Sequence, residues 1–343
     1  MRIGLVTHTT AGRGGIERVV ELQAQGLRER GHSVEVVAGP AVGSGWTARL
    51  VAIAGLALRR GRALRGRYDV LLAHYQPSSW LAERSGLPYV HYFHMPVRAL
   101  HPTVEQRRNP GYRLWSLLCR PLSAIDRSAV LSARSVAVPS PSVGRDLTEV
   151  YGVDGEVLAL GIDTTVLRPG TGTPGEHLLF VGRVGAPYKH LDWAQEVAAR
   201  LGRTLHVVGE GTAPAAPAGL TVVRHGYLEG EALAEAYRGA AVLLFPSAQE
   251  DFGLVALEAM ACGLPVVGWD DGHGPSLTLA AGSGGCLVTP YDLDAYTAAV
   301  QRLLTDPAER QRLHDAGPAW VQAHFSIDRH VEALELLLRE AAA

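Results

Sequence analysis

The residues best suited to chemistry are two glutamates with seven residues between them, in the stretch Glu250-Asp-Phe-Gly-Leu-Val-Ala-Leu-Glu258. The Phe-Gly-Leu turn inside it reads as the start of a helix. Backbone N–H groups at Phe252, Gly253 and Leu254 would then be first-turn donors, suited to an anion or to sugar hydroxyls. A helix starting near Gly253 puts Glu258 about one turn further in, pointing the same way. Alone, such a pair more often describes two solvated helix-end carboxylates. The flanking Phe245-Pro-Ser and Ala259-Met-Ala-Cys-Gly-Leu-Pro265 pattern favours function.

A second group carries positive charge. In Phe180-Val-Gly-Arg-Val-Gly-Ala-Pro-Tyr-Lys-His190, a predicted strand ends at Gly182 and Arg183 and Lys189 follow on the loop. A phosphate group at such a place brings concentrated negative charge. Arginine meets that charge with a planar fork and lysine with a compact point charge. Most Arg and Lys are simply exposed, but a place at a strand's carboxyl end favours phosphate.

Two further elements could approach a ligand. Gly12-Arg-Gly-Gly-Ile-Glu17 follows the first strand and opens the first helix, where glycine lets backbone come close to phosphate. Its spacing is not that of a dinucleotide turn, and no acidic residue ends the second strand. A glycine turn without a ligand stays open as the alternative. In His91-Tyr-Phe-His94-Met-Pro96, His94 ends a predicted strand just before a proline. His91 and His94 would face opposite sides of that strand, which argues against a shared metal. A structural histidine stays open here too. Asp292 and Asp294 form a DxD that reads as a helix cap rather than a metal site.

The elements that must position these residues follow from hydropathy patterning. Strands are predicted at 2–7, 33–38, 68–73, 88–93 and 135–139, with a helix over 16–30 whose Val19, Val20, Leu22 and Leu27 share one face. After the turn-rich stretch 167–175 the alternation restarts. Strands are predicted at 177–182, 204–209, 220–225, 241–246 and 265–269, with helices at 191–201, 230–238 and 254–262 and a helical tail over 307–343. Such alternation means parallel sheets covered on both faces. The expected domains are residues 1–167 and 168–343, the final helix returning to the first as an option. Ligands of such sheets bind outside the carboxyl ends of the strands, here expected in the cleft between two domains. Backbone groups around Gly226 and Tyr227 lie at the end of one such strand and are further candidates for ligand contact.

Composition narrows the function. The 343 residues suit two domains, with 47% hydrophobic and 19% charged residues. A formal net charge of −2 gives no field that calls for nucleic acid. Cys119, Cys262 and Cys286 form no metal-binding spacing, which fits a reducing compartment. No secretory leader and no bilayer-spanning run is read. The expected location is cytoplasmic, with a peripheral place on the inner face of the plasma membrane as the alternative. Residues 46–67 set an apolar stretch beside Arg59, Arg60, Arg62, Arg65 and Arg67, which suits either weak contact with anionic lipid or a helix with a solvated basic face.

From Arg2 to about Phe325 the chain resembles the retaining glycosyltransferases of family 4, with the four motifs in family order. The resemblance implies a GT-B fold: α/β, two doubly wound Rossmann-like domains facing a central cleft, acceptor bound by the first and donor by the second. It implies that Glu250 faces the donor sugar, that Glu258 holds ribose hydroxyls, and that Arg183 and Lys189 hold the diphosphate. Gly14 and Gly15 would lie near that diphosphate. The His-x-Pro-x-Arg element gives His94 a role in orienting the donor sugar. Arg98 and His101 are weaker candidates for the acceptor side. The chain departs from the family at Asp270-Asp-Gly-His-Gly-Pro-Ser-Leu277, which lacks the glutamate usual there.

The function expected is transfer of a hexose from a nucleotide-diphosphate sugar, GDP-mannose or a UDP-sugar, to a hydroxyl acceptor in glycan, glycolipid or natural-product biosynthesis. The mannosyltransferases of bacterial polysaccharide assembly look most similar. No cofactor and no metal are expected, since Arg183 and Lys189 can do a cation's work. The usual proposal for the family is same-face substitution, the leaving phosphate helping to deprotonate the acceptor. A GT-B nucleotide-sugar epimerase and a non-catalytic sugar-nucleotide-binding protein are the alternatives. A nicotinamide dehydrogenase would need the glycine fingerprint and ribose-binding acid that are missing.

Overall fold

The computed structural model describes residues 1–7, 15–38, 61–75, 78–97, 100–101, 117–172, 175–280 and 282–343. The chain forms two units, Met1–Ala159 with Asp328–Ala343, and Leu160–Ile327. Each is built on one six-stranded parallel sheet.

In the first unit the strands are β1 (Arg2–Thr7), β2 (Ser33–Ala38), β3 (Val70–His74), β4 (Tyr89–Tyr92), β5 (Ser135–Val138) and β6 (Glu156–Val157). They lie in the order β2-β1-β3-β4-β5-β6. The central strands β3 and β4 are buried along their whole length, whereas edge strands β2 and β6 are partly or fully exposed. That contrast is what helices on both faces of a parallel sheet produce. Helix α1 (Gly15–Glu29) buries Val19, Val20, Ala24 and Leu27. Helices α2 (Ser78–Ser85), α3 (Arg120–Leu131) and α4 (Pro141–Tyr151) also belong to this unit.

The second unit has β7 (Leu178–Val181), β8 (Leu205–Val208), β9 (Val222–Gly226), β10 (Val242–Phe245), β11 (Val266–Trp269) and β12 (Gly285–Val288), in the order β12-β11-β10-β7-β8-β9. Its helices are α5 (Leu191–Arg200), α6 (Gly230–Arg238), α7 (Leu254–Ala261), the short α8 (Gly274–Thr278), α9 (Leu293–Thr305) and α10 (Pro307–His324). The core gathers Phe180, Leu244, Trp269, Tyr296 and Leu313.

The sequence pattern reads the tail as helical throughout, and the structure breaks it. α10 stops at His324, and α11 (Ile327–Ala342) follows. At the break Ile162 N–H donates to the Phe325 carbonyl (2.7 Å) and Ile327 N–H to the Ile162 carbonyl (3.0 Å). Ser326, between the two helices, therefore pairs with Ile162 in an isolated parallel bridge. Beyond it α11 joins the first unit and packs on α1. A Cβ on Gly26 would come within 2.6 Å of Val331, so glycine is needed for this close helix approach. Gln23 Nε2 and His330 Nε2 lie 2.8 Å apart, and His32 Nε2 lies 2.9 Å from Glu335 Oε1. The stretch 167–175 lies within the second unit, where Arg238 donates to the carbonyls of Arg168 and Val166 at 2.8 and 3.0 Å.

In each sheet one pair of neighbouring strands marks where the chain order reverses. In the second unit this pair is β7 and β10, and in the first it is β1 and β3. Ligands of doubly wound sheets bind outside the carboxyl ends of such strands.

Candidate active site

The loops leaving β7 and β10 carry the predicted cations and the first glutamate. After β7 the chain runs through Gly182 and Arg183 into a single turn of tight helix, Pro187–Lys189. After β10 it runs through Pro246-Ser247 to Glu250 and then into α7. The loops touch through backbone, Ala248 N–H donating to the Tyr188 carbonyl at 2.9 Å. Lys189 Nζ donates to Glu250 Oε2 at 2.5 Å, their side chains only 11% and 18% exposed. The ammonium also stands 5.3 Å from the Tyr188 ring centroid and 5.6 Å from that of Phe245. Half-buried between two aromatic faces, this pair is less screened than a surface ion pair.

Backbone packing explains where Arg183 goes. Gly182 N–H donates to the Val208 carbonyl and Val184 N–H to the Glu210 carbonyl, both at 3.0 Å. The facing loop has Gly209 at φ 135° and Gly211 at φ 131°. A Cβ there would lie 1.9 and 1.8 Å from the carbonyl oxygens of Gly182 and Val184. Only glycine permits so close an approach. With its neighbours Gly182 and Val184 held by the facing loop, Arg183 is exposed at the strand end, and its guanidinium makes no ion pair among the described residues. The Gly-x-Gly at 209–211 was not singled out from sequence, although two glycines at a predicted strand end were the available signal.

Gly253, at φ 93°, caps the start of α7. Of the first-turn N–H groups of that helix, that of Ala256 donates to the Gly253 carbonyl at 3.0 Å. Phe252, just before Gly253, is buried. Glu258 follows in the second turn, 6% exposed, and its Oε2 accepts from the Tyr237 hydroxyl at 2.8 Å. Tyr237 comes from α6 and is fully buried. At the end of β9, Gly226 takes φ 69° and Tyr227 is partly exposed. The second unit thus brings Arg183, Lys189, Glu250, Glu258, Gly226 and Tyr227 to the carboxyl side of one sheet.

The first unit presents different chemistry. His94 follows the end of β4, is 7% exposed, and has Nε2 3.1 Å from His74 Nδ1. His74 ends β3 and stacks on Tyr92, with ring centroids 5.4 Å apart. His74 was missed because the predicted strand stops at Ala73, one residue short. His91, in the middle of β4, is fully buried against Phe93, and burial pushes its imidazole down to about 4. Among the described residues neither of its ring nitrogens has a hydrogen-bond partner.

His101 lies inside the first unit with Nε2 2.9 Å from Asp126 Oδ2. Asp126 is wholly buried and also accepts from Trp80 Nε1 at 3.0 Å and the Tyr151 hydroxyl at 2.6 Å. His101 therefore completes a polar cluster between α2, α3 and α4. Gly15 is the exposed first residue of α1. Gly14, Arg98 and residues 46–60 of the basic stretch lie outside the described residues.

Asp292 behaves as a cap: its Oδ1 accepts from Asp294 N–H at 3.0 Å and Ala295 N–H at 2.9 Å. Among the described residues, no three or more His, Cys, Asp or Glu side chains are grouped to hold a metal ion, and no helix is long and apolar enough to cross a membrane.

Comparison with known proteins gives the family of the chain. Residues 13–166 match the family described as Glycosyltransferase Family 4, and residues 175–306 match the one described as Glycosyl transferases group 1. A D-inositol 3-phosphate glycosyltransferase of Geodermatophilus obscurus is 32% identical, over 90% of this chain and 75% of its own length. Among solved structures, sucrose-phosphate synthase from Thermosynechococcus elongatus superposes with a TM-score of 0.80 at 21% identity, over 98% of both chains. Anabaena HepE, solved with UDP and glucose, gives 0.73 at 17% identity over 99% of both. At these identities the structural matches establish a shared GT-B fold.

Proposed function

The chain belongs to glycosyltransferase family 4 and is a retaining hexosyltransferase, and from that premise we propose a UDP- or GDP-hexose as its donor and a small polyol or sugar hydroxyl as its acceptor. The observation that carries the donor reading is the Lys189–Glu250 pair at the strand-order reversal of the second sheet. An arriving diphosphate offers Lys189 a better partner than a single carboxylate, and Arg183 stands exposed nearby in sequence to share the charge. Glu250, released from the lysine, then accepts from the hydroxyls of the donor sugar. Glu258, held by Tyr237, accepts from the ribose hydroxyls, and Gly226 and Tyr227 meet the base.

The chemistry asked of these groups is stabilisation of charge. As the glycosidic bond to the diphosphate breaks, negative charge gathers on the β-phosphate, and Arg183 and Lys189 offset it. The leaving oxygen takes the acceptor proton, so no separate general base is needed and the anomeric configuration is kept. His94 is assigned to hydrogen-bond the sugar and orient it. Because two protein cations do this work, the reaction proceeds without a divalent metal. A D-inositol 3-phosphate glycosyltransferase among the relatives makes a phosphorylated cyclitol the first acceptor to try. The HepE structure with UDP supports a nucleotide-sugar donor.

The test is a transfer assay with UDP-glucose, UDP-N-acetylglucosamine and GDP-mannose against D-inositol 3-phosphate and simple glycosides, with and without EDTA, read by proton NMR. The expected result is one donor yielding a product with the donor's anomeric configuration, unchanged by EDTA. Conversion of a donor with no acceptor present would point to an epimerase. Nucleotide binding without turnover of any donor would point to a non-catalytic binder.

A further inference from the structure

The loop after β11 lacks the family's glutamate, yet it holds an acidic residue with an unusual set of partners. Asp271 Oδ2 accepts from the Gln249 backbone N–H at 2.8 Å and from the Tyr291 hydroxyl at 3.1 Å. Its Oδ1 accepts from His273 N–H at 3.1 Å. Two distant stretches of chain and a local turn thus converge on one carboxylate.

The residue it grips most closely precedes Glu250. Gln249 sits at φ 52°, in the left-handed region that non-glycine residues occupy only where surroundings hold them. Tyr291, at φ 62°, is in the same region and lies beside Trp269 and Trp193, with ring centroids 5.9 and 6.0 Å away. The other side of Glu250 is fixed as well. Its carbonyl accepts from Gly274 N–H at 2.7 Å, and a Cβ on Gly274 would come within 2.4 Å of the Phe252 backbone. The backbone of Glu250 is therefore clamped from both flanks by residues 271–274.

We infer that Asp271 is a positioning residue for the transfer reaction: it holds Gln249 in the left-handed conformation, so that the Glu250 carboxylate stays directed at the donor sugar. This rests on the donor-site reading above. Asp271 acts through Gln249, and the groups assigned to the diphosphate, Arg183 and Lys189, sit on a different loop. Loss of the carboxylate should thus disturb the placement of Glu250 more than it disturbs nucleotide binding.

The experiment compares wild type, Asp271→Ala, and Asp271→Ala combined with Gln249→Gly, measuring kcat with the active donor and Kd for the free nucleoside diphosphate. Glycine takes a positive φ at no steric cost, so it should restore what the missing carboxylate no longer enforces. Expected are a fall in kcat of about tenfold or more in Asp271→Ala, a Kd no more than about twofold weaker than wild type, and recovery of several-fold in kcat on adding Gln249→Gly. An Asp271→Ala enzyme as fast as wild type would overturn the inference. So would a joint loss of kcat and nucleotide affinity with no recovery from glycine, because that pattern means Asp271 holds the unit together rather than the loop. A wild-type protein that neither binds a diphosphate nor transfers a sugar would instead overturn the donor-site reading itself.

Discussion

Where chain order reverses in the second sheet, the loops leaving β7 and β10 offer formal charge: Arg183 exposed, Lys189 paired with Glu250, all on backbone pinned by close glycine contacts. At the matching level of the first sheet the ends of β3 and β4 offer imidazole and aromatic rings instead, with His74, Tyr92 and His94 packed against one another. One topology thus carries two chemistries. On the proposed reading, the ions of the second unit would meet the leaving diphosphate, and the packed rings of the first would orient the sugar. Under the proposed function, the two units would divide the work rather than duplicate it.

Acid should separate them most. Burial pushes His91 and His330 of the first unit down to about 4 from an ordinary 6.5. An unfolded chain then takes up protons before the folded one as pH falls. The stability these groups share is complete above about pH 6.5, declines between 6.5 and 4, and is gone below 4. Each group should contribute a loss of about 3 kcal/mol over that window. His177 of the second unit is also pushed down to about 4, chiefly by burial with His206 and His225 adding, but it is less buried and should lose less. Urea unfolding at pH 7, 5.5 and 4.5, followed by hydrogen exchange, should show the first unit opening first. Equal stability at pH 7 and 4.5 would break the comparison.

A pair of substitutions sharpens it. Glu250→Gln should lower kcat by roughly a hundredfold, on the scale of losing one preorganised electrostatic contact. It should also tighten nucleoside diphosphate binding by a few-fold, because Lys189 loses its competing partner. His94→Ala should lower kcat by only about tenfold, on the scale of one hydrogen bond, and leave diphosphate affinity unchanged. Steady-state kinetics with parallel calorimetry reads both. If His94→Ala weakened diphosphate binding while Glu250→Gln did not affect turnover, the division between the units would be wrong.

Much of this was legible in the sequence because its signals are local. β1 and β2 follow from apolar runs of strand length, and α6 from its periodicity between Gly230 and Gly239. Glu250, Glu258, Arg183 and Lys189 stand out because turn residues fix them relative to predicted strand ends. What escaped was set by distant chain. Nothing near Tyr237 in sequence says that its hydroxyl meets Glu258, and nothing near Asp271 says that it collects Gln249 and Tyr291. The break at Phe325–Ser326 also depends on a bridge from Ile162, far away in sequence, so periodicity within the tail could not reveal it.

The central claim is that the second unit holds a nucleoside diphosphate through protein cations. Isothermal titration of UDP and GDP into wild type and Arg183→Ala, each with EDTA present, tests it most directly. The account predicts that one diphosphate binds wild type in EDTA and that Arg183→Ala weakens it by about tenfold to a hundredfold, the size of one charge-assisted contact. Binding that vanishes with EDTA, or that is indifferent to Arg183→Ala, would contradict it.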